Sequence, residues 1–178
     1  VLAQQGEKLS FLIQTLVKAS RLETGIFAMD PQVHGVQRLL DAVLIQGRQK
    51  ARERGLSLTA EPTFAQARFD EKWTAEALYN LVDNALKYTP QGGKVALSVR
   101  EFELFCAIQV EDNGPGIPEG EQGAIFGRFY RGEAVRDQEG LGIGLYLARE
   151  VVTREGGYIR LNSSPGQGSR FSLYLPKE

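Results

Sequence analysis

The stretch "LYNLVDNALKYTP", residues 78–90, carries two patterns at once. Leu78, Leu81, Val82 and Ala85 fall on one face at helical spacing and form a stripe for a core. Asn80, Asn84 and Lys87 recur at i, i+4 and i+7. At about 100° per residue they share about 60° of arc beside the apolar face. Asparagine is a mediocre helix former because its carboxamide competes for backbone hydrogen bonds. Two asparagines and a lysine in line read either as a solvated surface or as a ligand face. A carboxamide offers a neutral oxygen to a hard cation such as magnesium, which keeps several waters and shares substrate phosphates. Lys87, one turn on, would meet a phosphate as a point charge.

The surroundings set this helix in an alternating pattern. Asp70 can cap it, and Pro90 follows its end. Upstream, Val36, Leu39, Leu40, Val43 and Leu44 mark a helix to about Arg54, stopped by Gly55. A short extended piece near Val33 precedes it. "LSLTAEP" and "AQARFD" alternate like two strands. Downstream, "KVALSVRE" and "LFCAIQVED" read as a hairpin, although the turn near Glu101 lacks Gly or Asn. Residues 113–139 hold no long periodic segment, and a loop that long in a compact domain is usually functional or disordered. "LGIGLYLAREVVTREG" reads as a helix closed by Gly156 and Gly157, followed by a last hairpin through "PGQG". The order predicts an α/β two-layer sandwich with three helices on a mixed, mostly antiparallel sheet. Residues 1–28 predict a further, N-terminal helix, with Leu2, Leu9 and Leu16 in heptad register, ended near Pro31.

Composition excludes several classes. The 178 residues are enough for one ordinary domain plus an accessory element. A net charge of −1 with no basic block argues against nucleic acid as a partner. One cysteine, Cys106, excludes an internal disulfide and a multi-cysteine zinc site. It stands in an apolar run, as a buried strand residue would. No apolar run approaches the length of a membrane span, and no signal peptide is visible. The chain opens at Val1 in mid-pattern, so a longer parent is expected.

Three other stretches could carry chemistry. In "VEDNGPGIP", residues 110–118, Asp112 ends a strand and is followed by Gly114 and Gly116. This is a plain turn, or a pocket in which Asp112 accepts from an amino group with Ile117 as an apolar wall. "GLGIGL", residues 140–145, leads into a helix, where exposed backbone N–H groups and the helix dipole can hold an anion. It follows no predicted strand, so a dinucleotide-binding fingerprint is not indicated, and no P-loop is present. In "IFGRFYRG", residues 125–132, Phe126 and Phe129 read as small-core anchors, and Arg128 and Arg131 could face phosphate.

Taken in order, these motifs closely resemble the catalytic ATP-binding domain of bacterial sensor histidine kinases, within the gyrase, heat-shock chaperone, kinase and MutL superfamily. The resemblance covers residues 1–176. "NLVDNALKYTP" is similar to the asparagine box, "DNGPGI" to the first glycine box, "FGRFYRG" to the phenylalanine box and "GLGIGL" to the second glycine box. "SRLETG", residues 20–25, resembles the end of the second helix of the dimerisation hairpin. Residues 1–29 would then be the C-terminal part of that helix, and residues 30–178 the catalytic ATP-binding domain of Bergerat type.

The resemblance implies residue roles. Asn84 would ligate Mg2+, with Asn80 beside it near the phosphates of ATP. Lys87 would contact phosphate, and Tyr88 would lie along the ribose or adenine. Asp112 would accept the adenine amino group in a pocket shaped by Gly114, Gly116 and Ile117. Arg128, Phe129 and Arg131 would belong to a lid. Gly140, Leu141, Gly142, Ile143, Gly144 and Leu145 would cradle the triphosphate. Gly127 departs from the pattern, standing where the family often has an acidic residue.

The implied activity is transfer of the ATP γ-phosphoryl group to a histidine on the first hairpin helix, then to an Asp of a response regulator. That acceptor is absent here. The single histidine, His34, matches the first strand of the catalytic domain, so the chain is expected to bind ATP without autophosphorylating. The alternatives are an ATPase cycle, as in the chaperone and topoisomerase branches, and a non-catalytic nucleotide-sensing module. The ATPase branches place a Glu where this chain has Asn80, which cannot take a proton, and Glu76 is a poor substitute. The resemblance also implies a homodimeric parent held in the bacterial membrane, with this part in the cytoplasm.

Overall fold

A computed structural model of the chain describes residues 28–132 and 142–178, together with residues 6, 10, 13, 14, 16, 17, 20 and 24. The expected N-terminal helix falls largely outside the described residues. Those described from Gly6 to Ser20 are helical, and Thr24 lies in a turn.

The domain runs β1 (Gln32–Gly35), α1 (Val36–Glu53), β2 (Ser57–Ala60), β3 (Gln66–Phe69), α2 (Glu71–Tyr88), β4 (Lys94–Glu101) and β5 (Phe105–Asp112). It continues with α3 (Glu119–Gln122), α4 (Gly144–Arg154), β6 (Tyr158–Ser163) and β7 (Ser169–Pro176). Five strands form one sheet in the order β2-β4-β5-β7-β6, with β2 parallel to β4 and the other pairs antiparallel. The expected α/β two-layer sandwich with three principal helices is what forms. Its core lies between the helices and the inner sheet face, where Leu97, Ile108, Val110, Leu173 and Leu175 meet Leu40, Leu78, Leu81 and Val152. Cys106 is buried on β5, and burial pushes its thiol up to about 11.

The two strands read from "LSLTAEP" and "AQARFD" do not pair with each other. β3 pairs antiparallel with β1 in a separate ribbon. The start of α1 causes this separation. Val36 N–H donates to the Ala65 carbonyl, and Thr63 N–H donates to Gln37 Oε1, so the connection is drawn away from β2. His34 stands on β1 with its ring tilted against Phe69, centroids 5.3 Å apart, and Nδ1 3.7 Å from Glu71 Oε1.

Helix α2 begins as the sequence indicates. Asp70 Oδ1 accepts from the N–H groups of Lys72 and Trp73 at 3.0 Å each, which contributes about 1 kcal/mol. Helix α4 starts later than the periodicity suggests, at Gly144, with Ile143 as its N-cap. The long loop contains the single-turn helix α3.

α2 and α4 pack antiparallel, and their far ends are joined by Glu155. Its Oε1 accepts from Asp70 N–H at 2.8 Å and from the Thr74 hydroxyl at 2.7 Å. Glu155 is 2% exposed, and its Oε2 has no partner. Burial pushes the carboxyl up to about 7, assisted by the Asp70 charge and opposed by the two donors and Arg68. The folded chain therefore holds this proton longer than the unfolded chain as pH rises. Stability from this group is full at acid pH and is lost between the ordinary Glu value and about 7. Relative to Glu155→Gln, the wild-type chain is expected to lose up to about 3 kcal/mol of stability between pH 5 and pH 8 in urea unfolding. A difference between the two proteins that stays flat over that range would contradict this assignment.

Candidate functional site

The polar stripe of α2 does not look into open solvent. Asn80, Asn84, Lys87 and Tyr88 are all half-buried. The start of α4 covers Asn80: a Cβ built on Gly144 would come within 3.3 Å of Asn80 Oδ1. The first N–H groups of an α-helix have no intrahelical partner and carry the positive end of its dipole. No acidic residue occupies the first turn of α4. An asparagine face thus lies against a helix N-terminus that favours an anion. Beyond it, Lys87 Nζ stands 5.1 Å over the Tyr88 ring. Burial raises the Tyr88 phenol, the nearby Arg131 guanidinium opposes this, and Asp83 adds to it. Arg131 of the loop is therefore brought to the same end of α2.

Asp112 ends the central strand β5 and is half-buried. Its Oδ1 accepts from Gly114 N–H at 2.8 Å, and the Ser169 backbone on β7 also bonds to the carboxylate. Burial raises its pKa, these two donors oppose that shift, and Glu111 adds to it. Fixed donors orient the carboxylate and leave it lone pairs for a further N–H. The turn that follows needs glycine at Gly116, where φ is +73° and a Cβ would lie 2.0 Å from the Ser164 carbonyl oxygen. Ile117 N–H donates to Ser163 Oγ at 2.8 Å, and its side chain packs on the core.

The loop residues separate. Phe126 is a core anchor, edge-on to Phe171 at 6.2 Å, with Arg149 stacked 5.7 Å from its ring. Phe129 is not an anchor as the sequence suggested: it is 50% exposed, at φ +62°, with the exposed Arg128 over its ring at 5.0 Å. A left-handed conformation turns that side chain out of the core. Gly142, at φ +68°, lies so close to the Tyr130 carbonyl that a Cβ would be 2.4 Å from its oxygen. Ile143 is 1% exposed, so its side chain belongs to the core and only its backbone borders the cleft. Leu145 is half-buried against the same core. Gly140 and Leu141 lie outside the described residues.

Sequence reasoning missed two contributors. Thr89 is fully buried, its Oγ1 lacks a partner, and it lies 3.5 Å from where a Gly114 Cβ would stand. Ser169 reaches Asp112 only through sheet register. The "KYTP" and "PGQG" stretches were the available signals. An open groove of about 450 Å³ also borders Asp112 on the β6–β7 side. It includes no residue of α2, so it is distinct from the asparagine cleft.

The fold is an α/β sandwich with a polar cleft between α2 and the start of α4 and a carboxylate at the end of its central strand. Residues 69–178 match the family of histidine kinase-, DNA gyrase B- and HSP90-like ATPases, and the chain belongs to that family. Sensor protein SrrB of Staphylococcus aureus strain N315 is 30% identical over 99% of this chain and 31% of its own length. The chain thus spans about a third of the curated relatives it matches. Among solved structures, full-length ShkA in complex with AMPPNP superposes with a TM-score of 0.84 at 24% identity, covering 97% of this chain and 36% of that one. The histidine kinase ThkA in complex with the response regulator TrrA gives 0.78 at 22% identity, covering 97% and 49%.

Gly116→Ala is expected to destabilise the domain by about 2 kcal/mol or more, because strain and backbone contact coincide. Gly120→Ala, with open space at its Cβ position, should stay within about 0.5 kcal/mol of wild type in the same urea titration.

Proposed function

We propose that the chain is the ATP-binding catalytic domain of a two-component sensor histidine kinase. The observation that carries this is the meeting of the α2 asparagine face with the glycine-led start of α4, while Asp112 waits at the strand end. Phosphates would lie between the two helices, with Lys87 and Arg131 on their flank. Adenine would place its amino group on Asp112. Guanine carries a carbonyl at that position and would set lone pairs against a carboxylate. Phosphoryl transfer is largely positioning and charge neutralisation, and that is what these residues can supply.

Among the described residues, no group of three His, Cys, Asp or Glu side chains could hold a metal. The carboxamide oxygens of Asn84 and Asn80 are the donors that border the cleft. That set suits Mg2+, which binds through few protein oxygens and shares phosphate and water. When bound, it would neutralise charge on the phosphates. Tyr88 would line the ribose or adenine. Gly114 and Ile117 would bound the base pocket, and Arg128 and Phe129 would belong to the mobile edge.

The nucleophile would come from another part of the parent protein. His34 packs on Phe69 in the β1–β3 ribbon, so it is not offered as an acceptor. Residues 1–29 would continue a dimerisation hairpin that carries the acceptor histidine, in a homodimeric parent anchored in a bacterial membrane. The relay would end on a response-regulator Asp, the class of partner that ThkA holds in its complex. No helix among the described residues is long and apolar enough to cross a membrane. An ATPase cycle is less well supported, because Asn80 offers no proton acceptor beside the phosphates.

Asp112→Asn is expected to weaken ATP binding by about tenfold to a hundredfold in titration calorimetry, the loss of one charge-assisted hydrogen bond. Near-wild-type affinity would remove Asp112 from the site. Incubation of the chain with radiolabelled ATP should leave it unlabelled, and label on His34 would overturn the absent-acceptor reading.

A further inference from the structure

We infer that the outer face of the sheet, around Phe105, Tyr158 and Tyr174, is a twofold contact between two copies of this chain. The helices pack on one face of the sheet, and the side chains that alternate with the core residues stand on the other. Register sets Arg100, Ala107, Tyr174 and Tyr158 in one row across β4, β5, β7 and β6. The Tyr158 and Tyr174 rings stack with centroids 4.4 Å apart and planes 9° from parallel. Phe105 stands edge-on to both, at 5.4 and 6.4 Å. Phe102, from the β4–β5 turn, lies 5.8 Å from Tyr174. These rings pack on one another without a cover: Phe102 is 50% exposed, Leu104 70% and Tyr158 39%. The turn is fixed, because Phe102 N–H donates to the Phe105 carbonyl at 2.8 Å and Lys177 N–H to the Leu104 carbonyl at 3.1 Å. A rigid, exposed aromatic cluster of this kind is what interface centres are made of.

The charges on this face select its occupant. Arg170 pairs with Glu111, and Lys177 pairs with Glu101. Among the described residues, Glu103, Arg160 and Arg100 are exposed and have neither an ion pair nor a hydrogen bond. Glu103 stands in the turn between Phe102 and Leu104, at one end of the aromatic patch. Arg160 follows Tyr158 by two residues on the edge strand β6, at the other end. Arg100 lies two residues before Phe102, at the same end as Glu103. A twofold axis through the patch reverses it end for end. Apolar surface then meets apolar surface, and Glu103 of each copy faces Arg160 of the other. A uniformly acidic partner would set like charge against Glu103, and a uniformly basic one against Arg160. A second copy satisfies both. The α2–α4 cleft lies in the helical layer, so this inference does not rest on the nucleotide reading.

The test is sedimentation equilibrium of the 178-residue chain from about 1 to 300 µM. Wild type should associate with a dissociation constant of about 10–100 µM, as a small interface would. Glu103→Arg and Arg160→Glu should each weaken association by about tenfold, and the two together should restore it to within about threefold. Arg100→Ala, a charge of the same face outside the pair, should stay within about threefold of wild type. Both residues of the pair are exposed, so neither single variant should shift the urea midpoint. A monomeric wild type would leave the face to a different partner and overturn the proposal. So would association that neither single variant weakens, as contact through residues 1–29 alone would give, or single losses that the double variant does not recover.

Discussion

The close approach of α4 to α2 is the constraint on which the cleft depends. At one end Gly144 brings the start of α4 against the Asn80 carboxamide. At the other, the buried carboxyl of Glu155 takes the Asp70 N–H and the Thr74 hydroxyl. Between these points both helices turn buried side chains inward, among them Ala77, Leu81, Ala148 and Val151. Two fixed ends and an apolar seam leave the helices no freedom to slide. The cleft is therefore a property of the packed core, and its polar residues need no loop to hold them in line.

The Asp112 end, where the base is proposed to lie, is set by different means. Asp112 ends the central strand of a five-stranded sheet, and β4 and β7 clamp that strand along its length. Its carboxylate is oriented by backbone donors from Gly114 and Ser169, which cost no side-chain entropy to hold. The next turn is pinned to β6 through Ser163, which accepts from Ile117, while Gln122 donates to the carbonyls of Ile117 and Ser163. A rigid carboxylate at one end and a helix pair at the other suit a ligand that is read by its base and held by its charge.

What was legible in the sequence was local. The double stripe of residues 78–90, the Asp70 cap and the two closing hairpins all follow from spacing and turn chemistry within a few residues. What was not legible is long-range. β3 pairs with β1 because of bonds to the start of α1, and no periodicity in "AQARFD" carries that information. Asp83 meets Lys50 across 33 residues, and Thr74 meets Glu155 across 81. The delayed start of α4 and the outward Phe129 reflect left-handed backbone at Gly142 and Phe129, which residue type alone does not announce for phenylalanine. The family resemblance supplied roles that geometry can host but that spacing could not assign.

The most direct measurement is a crystal structure of the chain with magnesium and a non-hydrolysable ATP analogue. The account predicts the adenine amino group at hydrogen-bond distance from Asp112 and the triphosphate between Asn80, Asn84 and the first turn of α4. A nucleotide bound elsewhere, or with its phosphates at the Asp112 end, would contradict it.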